Sequence, residues 1–262
     1  SRPVLFWVRG GSFLLPLAKR LPNQPILGLH LPAIDAGRLP VPYKFEDISS
    51  ALVRQLQEVQ PEGPYFLAGL CVNGVIAYEM AKQLVEQGQQ IALLAMFDAQ
   101  NPAYYENFSQ QSRAELLLRR TGHHLRNFRR QKLTEYVNER MAGIHRRASV
   151  RYWRMRHSLS WSVDHKHLQD LDTIVHPASF VYRPEAYPGQ VVFFQSTDWP
   201  HGQYWDFYAS WNGLVGGGVR VFKISGGHES MFHEENVDLL ASELDGCLSE
   251  AIDGRSLVEE VA

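Results

Sequence analysis

Cysteine is scarce in this chain, which has only Cys71 and Cys247 among its 262 residues. Two cysteines do not make a disulfide framework, so a small disulfide-stapled fold is excluded and a reducing, cytoplasmic setting is expected. No Cys or His spacing resembles a zinc site, and we expect no bound metal. The chain also lacks an apolar run of the roughly 18–20 residues that a membrane span needs. Because its first residues read as a strand rather than a signal peptide, we expect no membrane association.

Charge is nearly balanced overall, at a net −2, but one segment departs strongly from that balance. Residues 113–156 hold 13 Lys or Arg against 3 Glu, a net charge of +10, which leaves −12 on the rest of the chain. Such a basic block suits an anionic partner, and it equally suits a solvated helical face. No nucleic-acid-binding motif accompanies the charge, so nucleic acid is not predicted as the partner.

Short apolar segments alternate with segments of helical periodicity, which predicts a parallel sheet with helices on both faces. The predicted strands are 3–8, 25–30, 65–68, 90–97, 190–195 and 219–224, and the predicted helical segments are 13–19, 45–59, 72–87, 202–211 and 235–252. The alternation stops after Pro102. The helical, basic and aromatic stretch that follows is too long for an ordinary connection. We therefore predict one domain over residues 1–262, with a core of 1–102 and 185–262 and an inserted helical lid of about 103–184.

The segment Gly69-Leu-Cys-Val-Asn-Gly74 joins a predicted strand to a predicted helix. This is the setting of the nucleophile elbow of α/β-hydrolases, G-x-S-x-G, with a thiol in place of the hydroxyl. The elbow strains its nucleophile, so its neighbours must be small or must tolerate positive φ, as Asn73 does best among non-glycine residues. The plain alternative is that Cys71 is a small buried apolar residue, as most free cysteines are.

A thiol nucleophile needs a base within hydrogen-bond reach, and the base needs an orienting group. His228 follows the last predicted strand, after two glycines that let its loop fold back toward the elbow. Two acids compete for the orienting role. Asp98 ends the strand after the elbow helix, and Asp198 follows the next strand, so from the residues alone either side chain can meet His228.

Four segments together resemble the thioesterase domains of nonribosomal peptide synthetases and polyketide synthases. They are PVLFWVRGG at 3–11, FLAGLCVNGVIAYEMA at 66–81, LLAMFDAQNP at 93–102 and GGHESMF at 226–232. The resemblance implies an α/β-hydrolase fold and, from the type I members, Asp98 as the acid; type II members keep Asp198 as the alternative. Three residues depart from the family pattern: Cys71 replaces the common serine, Asn73 a glycine, and Arg9 a histidine.

The resemblance implies an enzyme that takes an acyl chain from a carrier protein's phosphopantetheine thioester onto Cys71. The carrier would be an upstream domain, expected in the same polypeptide, and the domain itself would need no cofactor. Backbone N–H groups of Val72 and Gly11 would form the oxyanion hole. The cysteine form resembles release domains that form lactams or lactones, including strained four-membered rings. Alternatives are a hydrolytic or type II editing thioesterase, a small-lactone hydrolase resembling dienelactone hydrolase, and a non-catalytic carrier-binding module.

Overall fold

Six strands form one fully parallel sheet in the part of the chain that the computed structural model describes, residues 2–30, 43–103, 155, 172–198 and 209–255. Every neighbouring pair is parallel, in the order β2-β1-β3-β4-β5-β6. The predicted parallel sheet is confirmed. The strands are β1 (Leu5–Val8), β2 (Ile26–Leu29), β3 (Tyr65–Leu70), β4 (Ile91–Phe97), β5 (Val191–Ser196) and β6 (Val219–Ile224).

Helices connect the strands and cover both faces of the sheet. They are α1 (Leu15–Arg20), α2 (Phe45–Val59), α3 (Val72–Glu86), α4 (Asp172–Val181) and α5 (Val237–Ile252), with 3₁₀ turns at Ser12–Leu14, Ala209–Trp211 and Ser230–Phe232. In helix α2 the buried residues Ile48, Leu52 and Leu56 recur every four residues and form one apolar face, which is the pattern that predicts a helix in this segment. Of the predicted helical segment 202–211, only the turn at Ala209–Trp211 falls within the described residues. No helix of these ranges is long and apolar enough to cross a membrane.

The core lies on both faces of the sheet because successive strand residues point to opposite sides. In β1, Phe6 and Val8 join the cluster that packs under α2 and α3, while Leu5 and Trp7 join the cluster under α1 and α5. Both faces are therefore apolar, which explains why the strands read as continuous hydrophobic runs.

Most of the predicted lid, and nearly all of the basic block, lies outside the described residues. The lid boundaries therefore remain a prediction. Helix α4, at the end of that range, packs into the core beside α2 and α3 through Val175 and Ala178. Just beyond it, the Tyr182 ring stacks on Phe45 at 4.4 Å, and its hydroxyl donates to Oε2 of buried Glu79 at 2.6 Å. The chain thus returns to the core against the helix that begins at the elbow.

Candidate active site

Cys71 occupies a sharp turn between β3 and α3. Its backbone has φ 57° and ψ −130°, a conformation that L-residues rarely adopt, and α3 begins at the next residue. The turn is held by two main-chain hydrogen bonds: the Cys71 N–H donates to the Phe97 carbonyl at 2.8 Å, and the Gly74 N–H donates to the Cys71 carbonyl at 3.0 Å. Strained backbone of this kind persists only where surrounding structure determines it, and it concentrates at functional sites.

The two glycines of the elbow are required by close approach. A Cβ on Gly69 would lie 2.4 Å from the carbonyl oxygen of Asn73, and a Cβ on Gly74 would lie 2.7 Å from the Ala99 Cβ. The expectation that Asn73 serves through its tolerance of positive φ is wrong. Asn73 lies in the first turn of α3, and Cys71 is the elbow residue whose φ is positive.

His228 and Asp98 meet at the edge of the sheet where the strands end. Asp98 directly follows β4, and His228 lies in the loop after β6, with its Nδ1 3.1 Å from Oδ2 of Asp98. The Asp98 side chain is fully buried, whereas 29% of the His228 side chain is exposed. Asp98 also has positive φ, 42°, so the backbone is bent where the carboxylate turns toward the histidine.

The Cys71 thiol completes this group, since it lies beside His228 and raises the pKa of the imidazole. Burial lowers the pKa of His228, but the hydrogen bonds to Asp98 and Cys71 outweigh burial and raise the pKa to about 10. His228 therefore holds its proton at neutral pH. A protonated imidazole beside the sulfur can donate a proton to a group that leaves during acyl transfer.

Asp198 is hydrogen-bonded to the loop that carries His228, but its side chain contacts Thr197. It is exposed, and its Oδ1 accepts a hydrogen bond from the Thr197 hydroxyl at 3.0 Å. Its backbone N–H donates to the Gly226 carbonyl at 3.0 Å, so the residue supports the histidine loop through its main chain. Of the two candidate acids, Asp98 is the one whose carboxylate contacts the imidazole.

Ser196, the last residue of β5, also contacts Asp98, and sequence reasoning missed it. Its N–H donates to Oδ1 of Asp98 at 2.8 Å, and its hydroxyl donates to Oδ2 at 2.6 Å. A serine at the end of a strand carries no motif, so no sequence signal pointed to it.

The two expected oxyanion donors, Val72 and Gly11, follow the ends of the paired strands β3 and β1. β1 pairs with β3 so that Val8 is opposite Gly69, and Gly11 follows three residues after Val8. Val72 is the first residue of α3, and the first N–H groups of a helix have no partner within it. Arg9 begins the first loop with φ 51°, and its N–H donates to the Leu29 carbonyl at 2.8 Å.

The model of the thioesterase domain family matches residues 10–247 of the chain. The chain belongs to the thioesterase domain family. It is an enzyme domain of the α/β-hydrolase type, as predicted, and its relatives place it with the thioesterase domains of nonribosomal peptide and polyketide synthases.

Two relatives and two solved structures illustrate this likeness. The chain is 26% identical over 221 residues to a dimodular nonribosomal peptide synthase of Bacillus subtilis (strain 168), covering 81% of the chain and 9% of that protein. It is 34% identical over 106 residues to a non-reducing polyketide synthase of Pseudevernia furfuracea, covering 39% of the chain and 5% of that protein. It therefore spans less than a tenth of the length of these relatives.

The structural neighbours show the same fold. The NocB thioesterase domain from the nocardicin cluster has a TM-score of 0.60 at 19% identity, covering 95% of both chains. The SrfTE domain, described as cyclising the lipopeptide antibiotic surfactin, has a TM-score of 0.58 at 19% identity, covering 95% of this chain and 92% of that one.

The two cysteines of this thioesterase domain differ sharply in environment. Cys247 lies in α5 with 1% of its surface exposed, and burial raises the pKa of its thiol to about 11. Cys71 is partly exposed beside His228. Because the thiolate is the reactive form, Cys71 is the residue expected to react with an acyl donor or an alkylating agent.

Proposed function

We propose that this domain releases a peptidyl or ketidyl chain from the phosphopantetheine thioester of a carrier protein, through an acyl-enzyme on Cys71, by intramolecular cyclisation to a lactam or lactone. The observation that carries the proposal is the contact of Cys71, at a strained elbow, with His228, whose Nδ1 lies 3.1 Å from Asp98. A nucleophile, a base and an orienting acid in this order form the arrangement of covalent acyl transfer.

Acylation begins from the protonated histidine. Because Nδ1 faces Asp98, Nε2 is the ring nitrogen left for Cys71. The Cys71 thiolate attacks the carbonyl carbon of the bound thioester, and a tetrahedral oxyanion forms. As the bond from carbon to the pantetheine sulfur breaks, His228 gives its proton to that sulfur. The free pantetheine thiol leaves, and the chain stays on Cys71 as a new thioester.

Release reverses the direction of proton transfer. The neutral imidazole takes a proton from an amine or hydroxyl of the bound chain while that group attacks the acyl carbon. The Cys71 sulfur leaves as a thiolate, the ring closes, and His228 is protonated again. Orienting the imidazole throughout is the role we assign to Asp98.

A cysteine suits ring closure better than a serine would. Exchange of one thioester for another is close to isoenergetic, whereas transfer to serine gives a less reactive oxoester. The acyl-enzyme on Cys71 therefore keeps the driving force to close an unfavourable ring, including one of four members. The neighbour SrfTE, described as a cyclising domain, lends support to cyclisation rather than hydrolysis.

The oxyanion is met, in this proposal, by the backbone N–H groups of Val72 and Gly11. Gly11 follows β1 and Val72 follows β3, two strands that pair in parallel, and Val72 adds the positive end of the α3 dipole. Removing one donor of such a hole typically slows the reaction by about 10²–10³-fold.

The substrate arrives on a partner. We assign the partner to an upstream acyl or peptidyl carrier domain, because the relatives are long multimodular synthases of which this domain matches a small share. The domain then needs no cofactor of its own, since the phosphopantetheine arm belongs to the carrier. An acidic carrier would suit the basic block of residues 113–156.

Intact-protein mass spectrometry with acyl-pantetheine thioesters tests the proposal. Wild-type protein should gain the mass of the acyl group on Cys71, and Cys71→Ala should gain none. With a chain that carries an internal amine or hydroxyl, wild type should give the cyclic product, whereas Cys71→Ser should turn over slowly or hydrolyse. An adduct mapped to another residue, or equal cyclisation by both enzymes, would contradict the proposed mechanism.

Iodoacetamide labelling supplies an independent control. Cys71 should react near neutral pH far faster than Cys247. Equal, slow labelling of both would instead favour a carrier-binding module whose elbow has lost its activity.

A further inference from the structure

The carboxylate of Asp98 accepts hydrogen bonds from Ser196 in addition to its contact with His228. Asp98 has 2% of its surface exposed, and a buried carboxylate is costly unless its oxygens are hydrogen-bonded. Ser196 supplies two donors, its N–H to Oδ1 at 2.8 Å and its hydroxyl to Oδ2 at 2.6 Å. Ser196 is itself buried, with 3% of its surface exposed, so water does not compete for either hydrogen bond.

These two hydrogen bonds fix the orientation of the carboxylate. Each oxygen has its own donor on Ser196, so the carboxylate plane is held at two points. Oδ2 is shared between the serine hydroxyl and Nδ1 of His228, which lies 3.1 Å away. The main chain reinforces the arrangement, because the Asp98 N–H donates to the Phe194 carbonyl of β5 at 3.0 Å. Rotation of the carboxylate away from His228 would break both side-chain contacts.

We propose that Ser196 is a positioning residue of this thioesterase domain: its hydroxyl holds Oδ2 of Asp98 against the imidazole of His228, and so keeps the ring turned toward Cys71. The expected effect of Ser196 on the rate of acylation rests on the proposed Cys71 mechanism. Its expected effect on the orientation of the imidazole rests on the geometry alone. Ser196 touches neither the substrate nor the reacting sulfur in this scheme; it acts through Asp98.

The next residue provides a matched control. Thr197 is exposed, and its hydroxyl donates to Oδ1 of Asp198 at 3.0 Å. Two adjacent residues thus each bind one of the two candidate acids. Removing the Ser196 hydroxyl affects Asp98, whereas removing the Thr197 hydroxyl affects Asp198.

The test compares Ser196→Ala with Thr197→Ala. A hydrogen bond to a charged group contributes enough that its loss should slow acylation of Cys71 by about 10- to 100-fold. We expect this fall in kcat for Ser196→Ala with KM for the pantetheine thioester unchanged, and wild-type rates for Thr197→Ala. Thr and Val have the same shape, so Ser196→Thr should recover most of the rate and Ser196→Val should not. That isosteric pair tests the same hydroxyl if the alanine variant does not fold.

Two further readouts separate positioning from a merely structural role. Proton NMR should show a far-downfield Nδ1 proton of His228 in wild type and Thr197→Ala, shifted or lost in Ser196→Ala and Ser196→Val. In an Asp98→Asn background, Ser196→Ala should add little to the loss of rate, because residues that act as a unit are non-additive.

The outcomes are distinguishable. If wild type acylates on Cys71 and Ser196→Ala acylates equally fast with an unchanged proton resonance, the role of Ser196 is overturned and the proposed function stands. If wild type shows no acylation of Cys71, the proposed function fails, and the proton resonance alone then decides whether Ser196 orients the pair. Additive losses in the double variant would also overturn the inference.

Discussion

His228 and Asp98 are 130 residues apart in the chain, yet Nδ1 of the histidine lies 3.1 Å from Oδ2 of the aspartate. The parallel sheet produces this contact because β4 and β6 both end at the edge that carries the elbow. Asp198, at the end of the intervening strand, is exposed and binds Thr197 instead.

Substitution of the two acids should therefore have unequal effects. Asp98→Asn keeps the size of the side chain but removes the charge that stabilises the imidazolium. The value of kcat/KM for a pantetheine thioester should therefore fall by about 10²–10⁴-fold or more, the loss typical of general acid–base groups. Asp198→Asn should change kcat/KM little. Steady-state kinetics of both variants provides the measurement, and the reverse order would move the acid to the end of β5.

Stability should depend on pH through His228. The pKa of its imidazole is raised from 6.5 to about 10 by Asp98 and Cys71 despite burial, so the folded state binds the proton more tightly than the unfolded state. The stabilisation is fully present below about pH 6.5 and is lost as pH rises toward 10. Wild type should therefore lose more unfolding free energy than His228→Gln between pH 6.5 and pH 10.

Chemical denaturation at the two pH values measures this difference. His233 is exposed and lies five residues further along the chain, so His233→Gln serves as the control and should follow wild type. Parallel loss of stability in wild type and His228→Gln would show that the ion pair does not contribute.

The elbow should not accept a methyl group at either glycine. In Gly69→Ala the new Cβ would lie 2.4 Å from the Asn73 carbonyl oxygen, so α3 must shift. Overpacking of this kind typically destabilises by about 1–3 kcal/mol, and the displaced Cys71 should lose its acylation.

Gly246→Ala is the control, because nothing lies within 4 Å of its added Cβ. In helix α5 that change should stabilise by about 0.5–1 kcal/mol. Equal melting temperatures for both variants would rule out the close approach as the reason for Gly69.

The basic block should matter for the carrier and not for the chemistry. Charge reversal at Arg119, Arg120, Arg129 and Arg130, which lie outside the described residues, should raise KM for a carrier-bound substrate. Turnover of a small pantetheine thioester should stay unchanged. Since exposed charges are screened beyond about 8 Å at physiological salt, the effect should weaken as salt is added. Equal loss with both substrates would mean that these arginines act in folding or line the acyl site.

The sequence by itself determined the class of fold and the position of the elbow. Periodicity predicted helix 45–59 and strand 219–224 at the bounds that the structure gives them, because burial on one or both sides imposes a local repeat. The segment from Gly69 to Gly74 predicted a turn between a strand and a helix, because an apolar run precedes it, an amphipathic run follows it, and its pattern matches the nucleophile elbow. The assignment to an enzyme family, confirmed by the family match, rested on the same short segments.

Only the tertiary structure decided which side chains meet at the edge of the sheet. Asp98 and Asp198 both follow strands, and no local pattern separates a buried acid from an exposed one. The contact of Ser196 with Asp98, 98 residues apart in the chain, depends on the pairing of β4 with β5. The position of Asn73 was misread for a related reason: its φ is set by the start of α3, whereas the strain of the turn falls on Cys71. Local residue preferences place the elements, and the register of the sheet decides which side chains act together.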